Sequence, residues 1–129
     1  MVRLWLMWFA LVCFVSLPWI GFTPYPRWER VHWVPFSDPA DRPRDFILNA
    51  LVFLPLGLAI ARRRDPRSAL ALAVAMSVTI SVCAEATQLF STRRFPSATD
   101  VTAAVTGALA GAISTIWLRL SSKPETWTD

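Results

Sequence analysis

Four apolar segments, separated by short polar stretches, constrain the fold of this chain more than any other feature. They cover residues 4–22, 46–61, 69–90 and 101–118. As helices, the first two would be ~28 Å and ~24 Å long, close to the thickness of a bilayer's hydrocarbon core. The 129 residues are 54% hydrophobic, a high fraction for a water-soluble domain. The pattern predicts an all-α fold, an integral membrane bundle of four transmembrane helices that forms one domain over residues 1–129.

The first apolar segment, residues 4–22, also admits a second interpretation. Because Arg3 precedes a run rich in leucine, tryptophan and phenylalanine, the segment could be a cleaved signal peptide. No small-x-small cleavage site follows it, however, so a retained helix is favoured.

The arginines predict how the chain is oriented. The densest basic cluster, residues 62–67, joins the second and third segments and should be cytoplasmic. Both termini would then be cytoplasmic, with residues 23–44 and 91–99 outside. Seven basic residues lie inside and six outside, so the orientation depends on local density. The formal charge of +4 therefore indicates membrane topology, and no nucleic-acid partner is expected.

The outer loop of residues 23–44 contains five of the ten prolines together with Trp28 and Trp33. Proline removes helical hydrogen bonds, so a long helix is not expected there. Tryptophan favours the boundary between lipid and water. We therefore expect this loop to fold against the membrane interface.

Metal and cofactor sites are not predicted. Cys13 and Cys83 lie in different apolar segments, and neither has a neighbour at a metal-ligand spacing. His32 lies in the outer loop without a second histidine or a cysteine nearby, which argues against a zinc site.

Polar residues are concentrated at three places that must share one side of the membrane. These places are the start of the second segment, the end of the third and the start of the fourth, whichever way the chain is oriented. The residues are Arg44, Asp45, Asn49, Glu85, Gln88, Arg93, Arg94 and Asp100. The topology alone therefore predicts one polar cluster.

Glu85 is the least expected member of this cluster, because it lies within an apolar segment. It belongs to a polar stripe at helical spacing, formed by Ser77, Ser81, Glu85 and Gln88. Such a stripe should face the bundle interior or a wet cavity. A buried carboxylate must be paired, hydrated or protonated, so a functional role and an ion pair with Arg93 or Arg94 are equally good hypotheses.

Other members of the cluster also have structural interpretations. Asp45 and Asp100 stand at helix starts, where a carboxylate caps free N–H groups. Asn49 and Gln88 can form hydrogen bonds between helices. The arginines at residues 93–94 can anchor to lipid headgroups.

Small residues recur every four positions along the fourth segment, at Ala103, Gly107 and Gly111. A ridge of this kind lets a second helix approach closely. Pro55 in the second segment removes one helical hydrogen bond, which membrane helices tolerate.

Two blocks of the sequence carry a resemblance to a known family. The first is Arg44-Asp-Phe-Ile-Leu-Asn49-Ala-Leu-Val-Phe53-Leu-Pro55-Leu-Gly57, and the second comprises Glu85-Ala-Thr-Gln88, Arg94, Asp100-Val and Gly107. Their order and placement over residues 44–114 resemble the VanZ-like family of bacterial integral membrane proteins. In one departure, Ala104 stands where the family has an asparagine.

This resemblance implies a small multi-span protein of the bacterial cytoplasmic membrane and cell envelope. The name-giving member of the family is associated with resistance to glycopeptides of the teicoplanin type. The resemblance implies no particular reaction. Ala104 lacks an amide, which could weaken the polar network of the family and its full activity.

The first functional hypothesis is binding of an anionic lipid or a lipid-linked precursor. Helix N-termini beside Arg44, Arg93 and Arg94 suit a phosphate group. The remaining ligand-binding residues would be Asp45, Asn49, Gln88 and Asp100, with Glu85 near the polar part of the ligand.

Two other classes of function remain open. An intramembrane enzyme would use Glu85 as general acid or base on such a lipid, assisted by Asp45 or Asp100. A structural accessory subunit would use the polar residues only to fix helix registry. A transporter is disfavoured because the chain has no internal repeats, although a homo-oligomer would change that judgement.

Overall fold

The computed structural model describes residues 7–8, 10–12, 21–38 and 42–122. Its helices are α1 (Pro43–Ala61), α2 (Pro66–Gln88) and α3 (Ala98–Ser121), preceded by a short 3-10 helix at Trp28–Arg30. Among these residues the structure contains isolated β-bridges but no β-strand. The predicted all-α class is confirmed. Each of the three α-helices is long and apolar enough to cross a membrane.

The predicted first span, residues 4–22, lies mostly outside the described residues, as does Cys13. Residues 7–8 and 10–12 are helical. The Trp8 side chain donates a hydrogen bond from Nε1 to the Val52 carbonyl over 2.7 Å, and its ring meets that of Phe53 edge-on at 6.0 Å between centroids. The described residues thus support three membrane-spanning helices, not the predicted four.

The three long helices each begin three residues before the predicted apolar segments. Both α1 and α2 have a proline in the first turn, where its missing N–H costs nothing. The Asp65 carboxylate caps α2 by accepting from the Ser68 N–H at 2.9 Å. The Ser97 hydroxyl caps α3 by accepting from the Thr99 N–H at 3.1 Å. Apolar length therefore located the helices, while their starts are marked by a first-turn proline in α1, by a proline and a cap in α2 and by a cap in α3.

Helices α1 and α3 pack most closely, along a seam of glycine and alanine. A Cβ added to Gly107 would collide with the backbone carbonyl of Ala50, and one added to Gly57 would collide with that of Ala108. Gly111 is equally confined by the backbone of α1. The close approach predicted from the small-residue ridge is confirmed.

Helix α2 turns its polar stripe towards the bundle interior, as predicted. Ser77, Ser81 and Gln88 are buried. The exposed faces of the three helices are apolar instead, and include Ile47, Leu51, Met76, Val82, Ile113 and Trp117. Lipid offers no hydrogen bonds, so this distribution suits helices surrounded by a bilayer.

The segment of residues 21–38 lies across the connection between α2 and α3. Five backbone hydrogen bonds hold it there: Thr23 N–H to Phe90 O, Arg27 N–H to Leu89 O, His32 N–H to Pro96 O, Thr92 N–H to Gly21 O, and Ala98 N–H to His32 O, at 2.7–3.0 Å. Trp28 and Trp33 are exposed. The expected contact of this loop with the membrane interface stays a prediction.

Candidate functional site

A cavity of about 450 Å³ opens where α1 and α3 begin and α2 ends. We call it the polar cavity. Its polar lining residues are His32, Asp38, Arg42, Asp45, Asn49, Gln88, Arg93, Arg94, Ser97, Thr99 and Asp100, and its apolar ones are Phe46, Leu48, Val52 and Phe95. Six of the eight residues predicted to cluster therefore meet in one place. The exceptions are Arg44 and Glu85.

A hydrogen bond between two side chains joins α1 to α3 at the polar cavity. The Asn49 Nδ2 group donates to Oδ1 of Asp100 over 2.5 Å. Asp100 lies in the first turn of α3, and Asp45 lies in the first turn of α1. Both carboxylates thus stand near the positive end of a helix dipole.

Arginines border the polar cavity on two sides. Arg42 is the residue immediately before α1, while Arg93 and Arg94 lie in the connection between α2 and α3. The backbone N–H groups of Arg93 and Arg94 both donate to the hydroxyl of Ser91, at 3.2 and 3.1 Å. Ser91 is buried, whereas Arg93 and Arg94 are exposed.

Arg44 does not line the polar cavity, in contrast to the predicted cluster. Successive residues on a helix are rotated by about 100°. With Asp45 and Asn49 turned towards the cavity, Arg44 is directed elsewhere and is exposed. Arg42 takes the place that the sequence assigned to Arg44.

Glu85 holds the connection between α2 and α3 in place. Its Oε2 atom accepts from the backbone N–H of Ser97 at 2.9 Å, and its Oε1 atom accepts from Nε2 of Gln88 at 3.2 Å. Within the described part of the chain, neither Arg93 nor Arg94 forms an ion pair with it. In place of the hypothesised ion pair, Glu85 accepts hydrogen bonds from the side-chain amide of Gln88 and from the cap residue of α3.

Glu85 lines a second cavity of about 250 Å³, which we call the apolar cavity. Its other lining residues are Trp28, Val31, His32, Trp33, Val82, Ala86, Leu89, Pro96, Ser97, Ala98 and Val101. His32 and Ser97 also line the polar cavity. The two cavities are therefore neighbours that share His32 and Ser97. The polar cavity has a charged lining, and the lining of the other is mostly apolar.

His32 is a site residue that the sequence did not reveal. Its Nδ1 atom lies 2.8 Å from Oδ2 of Asp38, and its ring stacks on that of Phe95 at 6.0 Å between centroids. The spacing of His32 and Asp38 within one loop was the only signal in the sequence. Their place in the cavity depends on the loop packing against the connection between α2 and α3.

Metal ligands do not gather at either cavity. Among the residues that the structure describes, no group of three or more histidine, cysteine, aspartate or glutamate side chains could hold a metal ion. The polar cavity instead combines arginines, carboxylates and one histidine. This donor set can bind an anion that also carries hydroxyl groups.

Comparison with known proteins gives one positive result. The family model for VanZ/LLP1 matches residues 2–119, which include α1, α2, α3 up to residue 119 and every residue of the two cavities. No curated protein and no solved structure matches the chain. The three apolar helices fit a membrane protein of the VanZ type. Because this match covers most of the sequence, the chain belongs to the VanZ/LLP1 family.

Proposed function

We propose that this VanZ-type protein binds an anionic lipid, or a lipid-linked precursor, of the bacterial cell envelope in its polar cavity. One observation carries the proposal. Arg42, Arg93 and Arg94 border a single cavity at the end of a bundle of apolar helices. A negatively charged headgroup can enter there while its lipid tail stays in the bilayer.

The chemistry of the cavity favours a phosphate group next to hydroxyl groups. Arginine presents a planar fork of N–H donors that matches phosphate oxygens. The N-termini of α1 and α3 add positive dipole ends at the same place. The carboxylates of Asp45 and Asp100 repel phosphate but accept hydrogen bonds from hydroxyl groups. Glycerol and sugar headgroups carry both kinds of group.

The proposed setting is the bacterial cytoplasmic membrane, with both termini in the cytoplasm and the polar cavity facing outward. This orientation follows from the dense basic cluster of residues 62–67 at the opposite end of the bundle. An outward site would meet lipid-linked envelope precursors on the side where glycopeptides act. A role in teicoplanin-type resistance would follow from sequestering or altering such a precursor.

The decisive experiment compares two double variants of equal charge. Arg93→Ala/Arg94→Ala removes arginines from the polar cavity, and Arg63→Ala/Arg64→Ala removes two from the opposite end. Both proteins are purified in detergent, and native mass spectrometry follows the binding of phosphatidylglycerol. We expect the first variant to bind at least about tenfold more weakly, since hydrogen bonds to charged groups contribute about 1.5–3 kcal/mol each. Normal lipid binding by that variant would reject the proposal.

A structural role for Glu85 is the second candidate, favoured by its bonds to Ser97 and Gln88. It predicts that Glu85→Gln lowers thermal stability, because an amide cannot accept at both positions. The intramembrane-enzyme hypothesis predicts instead a folded Glu85→Gln protein that binds lipid but cannot convert it. Measuring melting temperature and lipid conversion on the same preparation separates the two, and full conversion by the variant eliminates catalysis by Glu85.

A further inference from the structure

We infer that the polar cavity hydrolyses a phosphate monoester of a lipid, with His32 as the general base and Asp38 as its positioning residue. The inference rests on the proposed function, because it requires the same headgroup site. It assigns the chemistry to the loop of residues 21–38, and not to Glu85.

The contact between His32 and Asp38 has the geometry of an oriented base. Nδ1 of His32 donates to Oδ2 of Asp38 over 2.8 Å. A carboxylate bound at Nδ1 fixes the tautomer in which Nε2 carries the lone pair. Within the described residues, Nε2 has no hydrogen-bond partner. Both residues line the polar cavity, so a water molecule there can be bound by Nε2.

The structure also holds the His32 ring in position. The backbone of His32 forms hydrogen bonds on both sides, to the Pro96 carbonyl and from the Ala98 N–H, each 2.9 Å long. The ring stacks on Phe95, whose own ring lies 4.0 Å from the Arg30 guanidinium. A base that is fixed in this way loses little entropy when it meets its substrate.

The arginines indicate the class of substrate. Arg42, Arg93 and Arg94 border the same cavity as His32. Three guanidinium groups can neutralise a terminal phosphate. A terminal phosphate has three free oxygens to bind them, whereas the phosphate of a diester has two. They would also stabilise the charge on these oxygens in the transition state of phosphoryl transfer.

The reaction needs only water as a co-substrate. His32 Nε2 takes a proton from water as the water oxygen forms a bond to phosphorus. The bond between phosphorus and the lipid oxygen breaks, and its electron pair stays on that oxygen. The lipid alkoxide takes a proton from solvent at the open mouth of the cavity, and His32 later releases its proton to solvent. The products are a neutral lipid alcohol and inorganic phosphate.

The test uses the full-length protein in detergent with phosphatidic acid as the probe. Inorganic phosphate release measures turnover, and native mass spectrometry measures binding. We expect His32→Ala to lower kcat at least about 100-fold, the usual contribution of a general base, with lipid affinity within twofold of wild type. Added imidazole should restore part of the lost turnover, which a purely structural histidine would not allow.

Asp38→Asn and Glu29→Gln form a matched pair of variants. Each converts a carboxylate of the loop into an amide, but only Asp38 lines the polar cavity. We expect kcat to fall about tenfold or more in Asp38→Asn, because the base loses its orientation, and to stay unchanged in Glu29→Gln. Asp38→Asn also decides the question if His32→Ala does not fold, since unchanged turnover in this variant would overturn the inference.

The outcomes separate this inference from the proposed function. A wild-type protein that binds phosphatidic acid without releasing phosphate overturns the inference and leaves the binding function standing. Phosphate release that persists in His32→Ala also overturns it, because the activity then has another source. Absence of both binding and release removes the proposed function together with the inference.

Discussion

The two halves of the α1–α3 pair differ sharply, although they belong to the same helices. From Ala50 towards the end of α1, the two backbones touch along the glycine seam. At the start of both helices they flank the polar cavity, and Asn49 reaches Asp100 through side chains alone. One half is closed by small residues, and the other is kept open by polar ones.

Stability and ligand binding therefore belong to different halves of the α1–α3 pair. Helices in lipid associate mainly through van der Waals packing, so the seam supplies the stability. The polar half cannot collapse in the same way, because charged groups need water, partners or a ligand. The comparison predicts that substitutions in the seam unfold the bundle, whereas substitutions at the cavity change binding in a folded protein.

The largest effect is expected for Gly107→Leu. Even a Cβ at this position collides with the backbone of Ala50, and no rotamer change can relieve a clash with a main chain. We expect a loss of about 3 kcal/mol or more in the free energy of unfolding, measured by thermal unfolding in detergent. Ala110→Leu, on the exposed side of the same helix, is the control. Equal stability of the two variants would contradict the closed seam.

The next effect concerns Asp100. In Asp100→Ala the Asn49 amide loses its acceptor, which should cost about 1–3 kcal/mol of stability. Asp100→Asn keeps an acceptor for Asn49 but removes a negative charge from the polar cavity. Its affinity for an anionic lipid should therefore rise, by about two- to fivefold. Native mass spectrometry measures this change, and weaker binding by Asp100→Asn would show that the hydrogen bonds of the carboxylate to the ligand outweigh its repulsion of the phosphate.

The general fold was predictable from the sequence because its causes are local. Apolar length predicted α1, α2 and α3, and helical spacing predicted both the polar stripe of α2 and the ridge of α3. The helix starts were less accurate, since Asp65 and Ser97 act through hydrogen bonds that an apolar window does not register. The topology also brought six of eight polar residues to one cavity.

The remaining site residues depend on tertiary packing. His32 and Asp38 reach the cavity only because their loop bonds to the connection between α2 and α3. Arg42 replaces Arg44 because the helix starts earlier than its apolar part. Glu85 drew attention as an isolated carboxylate, but its hydrogen bond to Ser97 spans twelve residues and could not be read from spacing.

A smaller effect is expected for Arg119→Ala, at the closed end of the α1–α3 pair. Nη1 of Arg119 donates to the carbonyls of Ala61 and Arg64, at 2.6 and 2.8 Å. These carbonyls lie at and beyond the end of α1 and lack helical partners. We expect a loss of about 1 kcal/mol in stability with unchanged lipid affinity. A change in affinity would show that the closed end is coupled to the polar cavity.

The smallest effect is expected for the cap of α2. The N–H of Ser68 donates to the Asp65 carboxylate and lowers the pKa of Asp65 below its ordinary value. A lowered pKa adds stability above the ordinary pKa of the carboxyl, and this contribution is lost as the pH falls through the folded-state value. Asp65→Ala should therefore melt slightly below wild type at neutral pH, and the gap should close in acid. Asp65→Asn keeps a capping oxygen without a charge, so its melting temperature should lack this pH dependence. If instead Asp65→Asn kept the pH dependence of wild type, the charge of Asp65 would not be its cause. As a control, neither variant should alter lipid binding at the distant polar cavity.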